Sequence, residues 1–228
     1  MKIRHLLFDL DNTLYPSTAA MDLGITQRML GFTAKLLGVS YDEAVEKRKE
    51  RLPLYGTTLE WLKKEHGLED VDAYFSAVHP PEEVNELTKD DNLRPLLQSL
   101  NLPMTILTNA PRRHAERVLN FLNVADLFIS IHDIESNNFR GKPYPESYRK
   151  AIETSGFTVD ETIFFDDHKK YTDGYNKIGG TSVLICHPEK KLDKNIHPLD
   201  SLICDDCKTI QISSVYEIPQ LLQKLDNL

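Results

Sequence analysis

The sequence predicts an α/β fold, a doubly wound parallel sheet interrupted by an all-helical insertion. Three observations predict it. Short apolar runs that stop at polar turns recur at residues 3–8, 103–107, 162–165 and 182–185, the pattern of strands buried on both faces. Helical spacings separate those runs beyond residue 92, as βαβ units require. Between residues 14 and 92 the periodicity is helical throughout.

At 228 residues the chain exceeds one average domain and falls short of two. Its 35 acidic side chains against 27 basic ones give a net charge of −8. That balance argues against a nucleic-acid backbone as partner, which needs clustered Lys and Arg. A small anionic substrate stays compatible where a cation offsets the field locally. No charged leader with a long apolar segment opens the chain, and no run reaches membrane-spanning length. Three cysteines do not make a disulfide framework. The expectation is a cytoplasmic protein without a membrane partner, its oligomeric state open.

The first strand lies in IRHLLFDLDNTL, residues 3–14, and ends at Asp9, Asp11 and the turn Asn12-Thr13. Helical spacing then runs from Asp22 to Leu37 and stops at Gly38. Ser40 and Glu43 form a capping box for a helix reaching about Lys49. Residues 57–65 and 70–78 give two further helices. The sheet pattern resumes at 103–107, ending in Thr108-Asn109, with a helix over 112–122. A strand over 127–131, the loop Gly141-Lys142-Pro143 and a helix over 145–155 follow. The strand at 162–165 ends in Asp166-Asp167; strands at 182–185 and 209–212 and a helix over 215–225 complete the order. Residues 187–208 show no periodicity. The core is therefore expected at 1–14 and 92–228, and the helical insertion at 15–91.

In open α/β sheets, ligands bind where strands end at their C-terminal edge. Asp9/Asp11, Thr108/Asn109, the Lys142 loop and Asp166/Asp167 would converge there. Asp9 and Asp11, two apart on an extended chain, share a face, and like charges that close are costly without a cation. Carboxylates suit Mg²⁺, which commonly completes its octahedron with phosphate. A lysine and a hydroxyl can grip phosphoryl oxygens, and a carboxylate can act as a nucleophile. Each residue also has a plainer reading: Asp and Asn make turns and caps, and loop lysines are usually solvated.

These motifs resemble those of the haloacid dehalogenase superfamily phosphatases, from end to end. Asp9-Leu10-Asp11-Asn12-Thr13 is similar to the first motif, Thr108 to the second, Lys142 in GKPYPESY to the third and Asp166-Asp167 to the fourth. The insertion resembles the helical cap of one subclass, over a Rossmann-like core. LYPST, YGTTLEWL and TNAPRRHAERVL resemble the pyrimidine 5′-nucleotidase branch. The resemblance implies that Asp9 is the nucleophile and that Asp11 protonates the leaving alcohol and then deprotonates water. It implies Mg²⁺ on Asp9, the Asp11 carbonyl and Asp166, with Asp167 direct or through water. Thr108 and Lys142 would bind phosphate, assisted by Asn109. His168 and Tyr171 depart from the pattern, standing where this branch has a small residue and Asn.

The expected function is thus Mg²⁺-dependent hydrolysis of small phosphomonoesters, with nucleoside 5′-monophosphates as candidates. Sugar-phosphate hydrolysis and phosphomutation are alternatives. A phosphoacceptor switch uses similar residues, but its acidic pair comes near the N-terminus. A non-catalytic binding protein is a further alternative. Tyr55, Thr57 and Thr58 are candidate specificity residues, a flat ring and two hydroxyls, although helix capping and packing account for them equally. Arg112, Arg113 and His114 read first as a solvated helix face. Cys204 and Cys207, with Cys186, His187 and His197, have no standard zinc spacing.

Overall fold

The computed structural model describes residues 2–186 and 209–226. Six parallel strands form one sheet in the order β3-β2-β1-β4-β5-β6. They are β1 His5–Phe8, β2 Met104–Leu107, β3 Phe128–His132, β4 Thr162–Asp166, β5 Thr181–Ile185 and β6 Thr209–Ile212. The helices are α1 Ala20–Leu37, α2 Tyr41–Arg51, α3 Thr58–His66, α4 Val71–Val78, α5 Leu93–Ser99, α6 Arg112–Phe121, α7 Pro145–Ser155, α8 Lys169–Lys177 and α9 Ile218–Asp226. This is the doubly wound α/β fold expected. Among the described residues no helix is long and apolar enough to cross a membrane.

Strands β1, β2 and β4 are buried at every position because both faces are covered. Leu6, Phe8, Ile106, Ile163 and Phe165 pack into the larger cluster, where Phe8 and Phe165 stack at 4.7 Å. The alternating positions Leu7, Leu107 and Phe164 pack on the opposite side with Tyr148 and Ile152 of α7 and Tyr175 of α8. Helices α1–α4 lie between β1 and β2 in the chain. Helices α1, α3 and α4 meet in a cluster centred on Trp61, Leu62, Tyr74 and Phe75, which Ile134 of the loop after β3 also joins. Local sequence sets their ends: the Ser40–Glu43 capping box forms, Thr57 caps α3, and Gly38 closes α1 at φ 64°.

Two helices and a turn escape the periodicity reading. Helix α8 has few apolar positions, and Gly174 sits at its centre because a Cβ there would lie 2.8 Å from the Pro143 carbonyl. Helix α5 is only seven residues long. A 3₁₀ turn, Pro81–Glu86, carries the chain from α4 back toward the core.

His5, fully buried in β1, illustrates how the sheet interior handles polarity. Its Nδ1 is 3.1 Å from Thr162 Oγ1 and its Nε2 2.9 Å from Thr105 Oγ1, and its ring stacks on Phe157 at 4.6 Å. Hydroxyls satisfy a neutral ring, whereas burial and then His132 push the imidazole pKa down to about 4. The unfolded chain therefore binds a proton near pH 6.5 that the folded chain refuses until about 4. Stability from this group is complete above the unfolded value and declines as pH falls. Between pH 7 and 5 the loss should be about 2 kcal/mol. Urea denaturation of the parent and His5→Gln at several pH values checks it. The variant should show the shallower acid slope, and parallel curves would remove His5 as the cause.

Candidate active site

The sheet order reverses at β1, whose neighbours are β2 and β4, so the crevice opens above the C-terminal ends of those strands. Register pairs Phe8 with Phe165 and with Ile106. Asp9 and Asp166, which follow directly, are therefore brought side by side by hydrogen-bonded sheet geometry, and Thr108 lies one residue further along at the end of β2. The Asp9 amide donates to the Phe165 carbonyl at 2.8 Å, extending the ladder by one residue.

Lys142 joins the two acids. Its Nζ is 2.7 Å from Asp9 Oδ1 and 2.6 Å from Asp166 Oδ2, and its side chain is 1% exposed. A buried ammonium is held in place only by such pairing. Its position is built from behind by Asn109. The Asn109 Oδ1 accepts from the Lys142 amide at 2.8 Å, and Nδ2 donates to the Lys142 carbonyl at 2.9 Å. Gly141 is required at this junction, since a Cβ there would lie 2.0 Å from Asn109 Oδ1. Asn109 thus has its side chain on the lysine loop. Thr108 is buried, and its Oγ1 accepts from the Ala110 amide at 3.0 Å, which leaves the hydroxyl hydrogen for a ligand.

Carboxylate oxygens of Asp9, Asp166 and Asp167 lie within 4.8 Å of one another. Burial pushes the Asp9 carboxyl well up; Lys142 opposes the shift, while Asp166, Asp11 and Asp167 add to it. Burial pushes Asp166 up to about 6, with Asp167 adding. Three carboxylates gather beside one ammonium. Hard oxygen donors at close spacing fit a divalent cation such as Mg²⁺.

Asp11 stands apart from this cluster. Its Oδ1 accepts from the Tyr15 hydroxyl at 2.6 Å and faces His114 Nε2 at 2.7 Å. Burial raises the Asp11 carboxyl, but His114 and Tyr15 outweigh it and hold it below its usual range. Burial opposes a charge on His114, yet Asp11 and Glu83 prevail and lift its imidazole to about 9. The two aspartates of one motif therefore sit in opposite electrostatic settings.

A cavity of about 540 Å³ lies between α1, α2 and the start of α8, lined by residues including Thr26, Leu30, Arg48, Leu52, His168 and Tyr171. Tyr171 also bounds the carboxylate–lysine cluster, since Lys142 Nζ lies 5.0 Å from its ring centre. Arg48 donates from Nε to Thr58 Oγ1 at 2.9 Å. Among the described residues no carboxylate pairs with it, and burial lowers its pKa. Of the candidate specificity residues, Thr57 caps α3, Thr58 supports Arg48, and the Tyr55 hydroxyl donates to Glu65 at 2.8 Å. None of the three lines this cavity.

The two departures from the expected motif have structural work. His168 caps α8, and Tyr171 donates to the Gly56 carbonyl at 3.2 Å, tying α8 to the helical insertion. Sequence reasoning missed Tyr15, Glu83, Arg117 and Arg48 as neighbours of the chemistry. Tyr15 could have been found, being four residues from Asp11. Nothing in PPEEVNE distinguishes Glu83 from its neighbours. Cys204, Cys207, His187 and His197 lie outside the described residues.

A model of haloacid dehalogenase-like hydrolases matches residues 3–170. The chain belongs to that family. Phosphate metabolism protein 8 of Saccharomyces cerevisiae is 26% identical over 94% of this chain and 71% of its own length. Validoxylamine A 7′-phosphate phosphatase of Streptomyces hygroscopicus is 27% identical over 71% of this chain and 75% of its own. The crystal structure of a phosphatase of the family from Thermococcus onnurineus superposes with a TM-score of 0.65 at 20% identity. It covers 97% of this chain and 98% of the other. That likeness is one of fold, and it includes the helical insertion.

Proposed function

We propose that this hydrolase is a Mg²⁺-dependent phosphomonoesterase acting through an aspartyl-phosphate on small phosphorylated metabolites, with pyrimidine nucleoside 5′-monophosphates foremost. Residues 15–91 serve as a cap over the core formed by 1–14 and 92–228. The observation that carries the reading is the division of labour between Asp9, held at Lys142, and Asp11, held at His114 and Tyr15. Phosphoryl transfer asks for positioning and charge neutralisation, which this arrangement supplies. The phosphatases among the relatives support it.

Asp9, Asp166 and Asp167, with the Asp11 carbonyl, would hold Mg²⁺, which when bound neutralises phosphoryl charge and fixes its oxygens. Lys142 and Thr108 bind the remaining oxygens. The Asp9 carboxylate attacks phosphorus, forming the new P–O bond as the bond to the alcohol breaks. Asp11 gives its proton to the leaving oxygen. Water then attacks phosphorus, Asp11 takes back a proton, and Asp9 and inorganic phosphate are released. Asp11 is ionised before substrate arrives; a monoanionic phosphoryl group entering beside it raises its pKa and passes it the proton, leaving the phosphoryl group dianionic.

Discrimination belongs to the cavity, because the core grips only phosphate. Arg48, a half-buried cation that pairs with no carboxylate among the described residues, suits a leaving group rich in acceptors, such as the carbonyl edge of a pyrimidine. Thr58 acts by holding Arg48, and Tyr55 and Thr57 act by fixing α3, through Glu65 and through its N-terminal cap. A hydrolysis screen of phosphorylated metabolites should show phosphate release that EDTA abolishes and Mg²⁺ restores, with UMP and CMP above AMP and GMP. Arg48→Met should lower kcat/KM for UMP by about 10- to 100-fold, the loss of a charge-assisted hydrogen bond. It should barely affect p-nitrophenyl phosphate. Preference for purine or sugar phosphates, or equal losses on both substrates, would retire the pyrimidine assignment. Phosphate moved within a sugar phosphate without release would indicate a mutase.

A further inference from the structure

Beneath Asp11 runs a chain of buried charged groups that the reaction described above does not use. His114, fully buried on α6, faces Asp11 Oδ1 with Nε2 at 2.7 Å and Glu83 Oε1 with Nδ1 at 2.6 Å. Both carboxylates accept and cannot donate, so both ring nitrogens carry hydrogen and donate. Glu83 belongs to the 3₁₀ turn that leads out of the helical insertion, and its carboxylate is fully buried. It accepts further from Arg117 Nη2 at 2.7 Å and lies 3.0 Å from His79 Nδ1. The same turn is bound to α1 through Arg28, which donates to the Val78 carbonyl and pairs with Glu86.

We propose that His114 and Glu83 are positioning residues of the reaction, a clamp by which the return segment of the cap fixes the orientation of the Asp11 carboxylate. This rests on the reading of Asp11 as the proton-transfer group. A free aspartate rotates about two side-chain torsions, and proton transfer needs the carboxylate within hydrogen-bond reach of the departing oxygen. Tyr15 and His114 both engage Oδ1, so the torsions are fixed, and Oδ2 of this partly exposed side chain is left to exchange the proton. The ring of His114 is oriented in turn by Glu83, which the cationic groups around it hold still.

Two plainer accounts fit less well. A staple between linker and core would be complete with Arg117–Glu83; His114 is the member that also reaches Asp11. His79, Glu83 and His114 are close enough to be drawn as a metal site. However, a ring donating from both nitrogens has no lone pair to offer, and the Arg117 guanidinium already occupies the same Glu83 oxygen.

The experiment compares parent, Asp11→Asn, His114→Phe, the milder Glu83→Gln, and the Asp11→Asn/His114→Phe double variant. Each is confirmed folded by near-ultraviolet circular dichroism. Single-turnover phosphorylation is measured with an alkyl phosphate, whose alkoxide needs a proton, and with p-nitrophenyl phosphate, whose phenolate does not. General acid catalysis typically contributes about 10²- to 10⁴-fold. His114→Phe should therefore slow the alkyl ester by about 10- to 100-fold, with KM within about twofold and the aryl ester within about threefold. Glu83→Gln should show the same pattern to a smaller degree. The double variant should be no slower than Asp11→Asn alone, because the clamp acts only through Asp11. Equal losses on both esters, or additive losses in the double variant, would overturn the clamp while leaving the phosphatase intact. If Asp11→Asn itself shows no leaving-group dependence, the role of Asp11 falls and the clamp with it.

Discussion

Asp9→Asn should leave a folded protein with no measurable turnover on any phosphomonoester. An amide nitrogen cannot form the acyl-phosphate, and no neighbouring group is placed to substitute for it. Asp166 is turned to Lys142 and the His168 amide, and Asp11 to Tyr15 and His114. Background hydrolysis offers no cover, since uncatalysed phosphomonoester cleavage can require about 10²¹-fold acceleration to reach enzymatic rates. The fold should not suffer. Burial and three neighbouring carboxylates make the charged form of Asp9 unfavourable where it sits, so a neutral isostere relieves repulsion. Thermal denaturation should give an equal or higher Tm without Mg²⁺. Mass spectrometry after mixing with substrate should find a phosphorylated aspartate in the parent and none in the variant. Steady-state activity in purified Asp9→Asn would remove it from the nucleophile's place.

Much of this arrangement is legible in the sequence, and the reasons are local. Strands buried on both faces must be apolar throughout, so β1, β2 and β4 announce themselves, and polar residues at their ends stand out. Sheet order then needs only the crossover pattern to bring Asp9, Thr108 and Asp166 together. Capping at Ser40 and Thr57 was readable because the motif is confined to four residues. Contacts between distant segments were not readable. Glu83 meets His114 across 31 residues, and His114 meets Asp11 across 103, with no local pattern to mark either pair. Asn109 reads as a phosphate ligand from its neighbours in the chain, yet its side chain is spent on the lysine loop. Tyr55 looked like a stacking platform, and only the path of the 52–56 loop shows its hydroxyl turned to Glu65.

Lys142→Met should separate the catalytic and structural uses of the buried ammonium. Methionine keeps most of the volume and removes the charge. Turnover should fall by at least about 10²- to 10³-fold, the cost of losing one preorganised donor to developing negative charge. The larger signature is in stability. Without the ammonium, Asp9 and Asp166 lose the cation that joins them, and breaking a buried pair from one side costs about 3–5 kcal/mol. The sign with pH follows from the direction of the shifts. Asp9 and Asp166 already titrate above their ordinary values, and removing Lys142 moves them further up. The folded variant then holds protons that the unfolded chain releases near pH 4, so its deficit relative to the parent should grow as pH rises from 5 to 7.5. Mg²⁺ supplies the missing positive charge only to the folded state, so millimolar Mg²⁺ should raise the variant's Tm more than the parent's. Denaturation of both proteins at the two pH values, with and without Mg²⁺, measures all of this. A variant as stable as the parent at pH 7.5 without metal, or one no more responsive to Mg²⁺, would show that Lys142 does not hold the carboxylate cluster together.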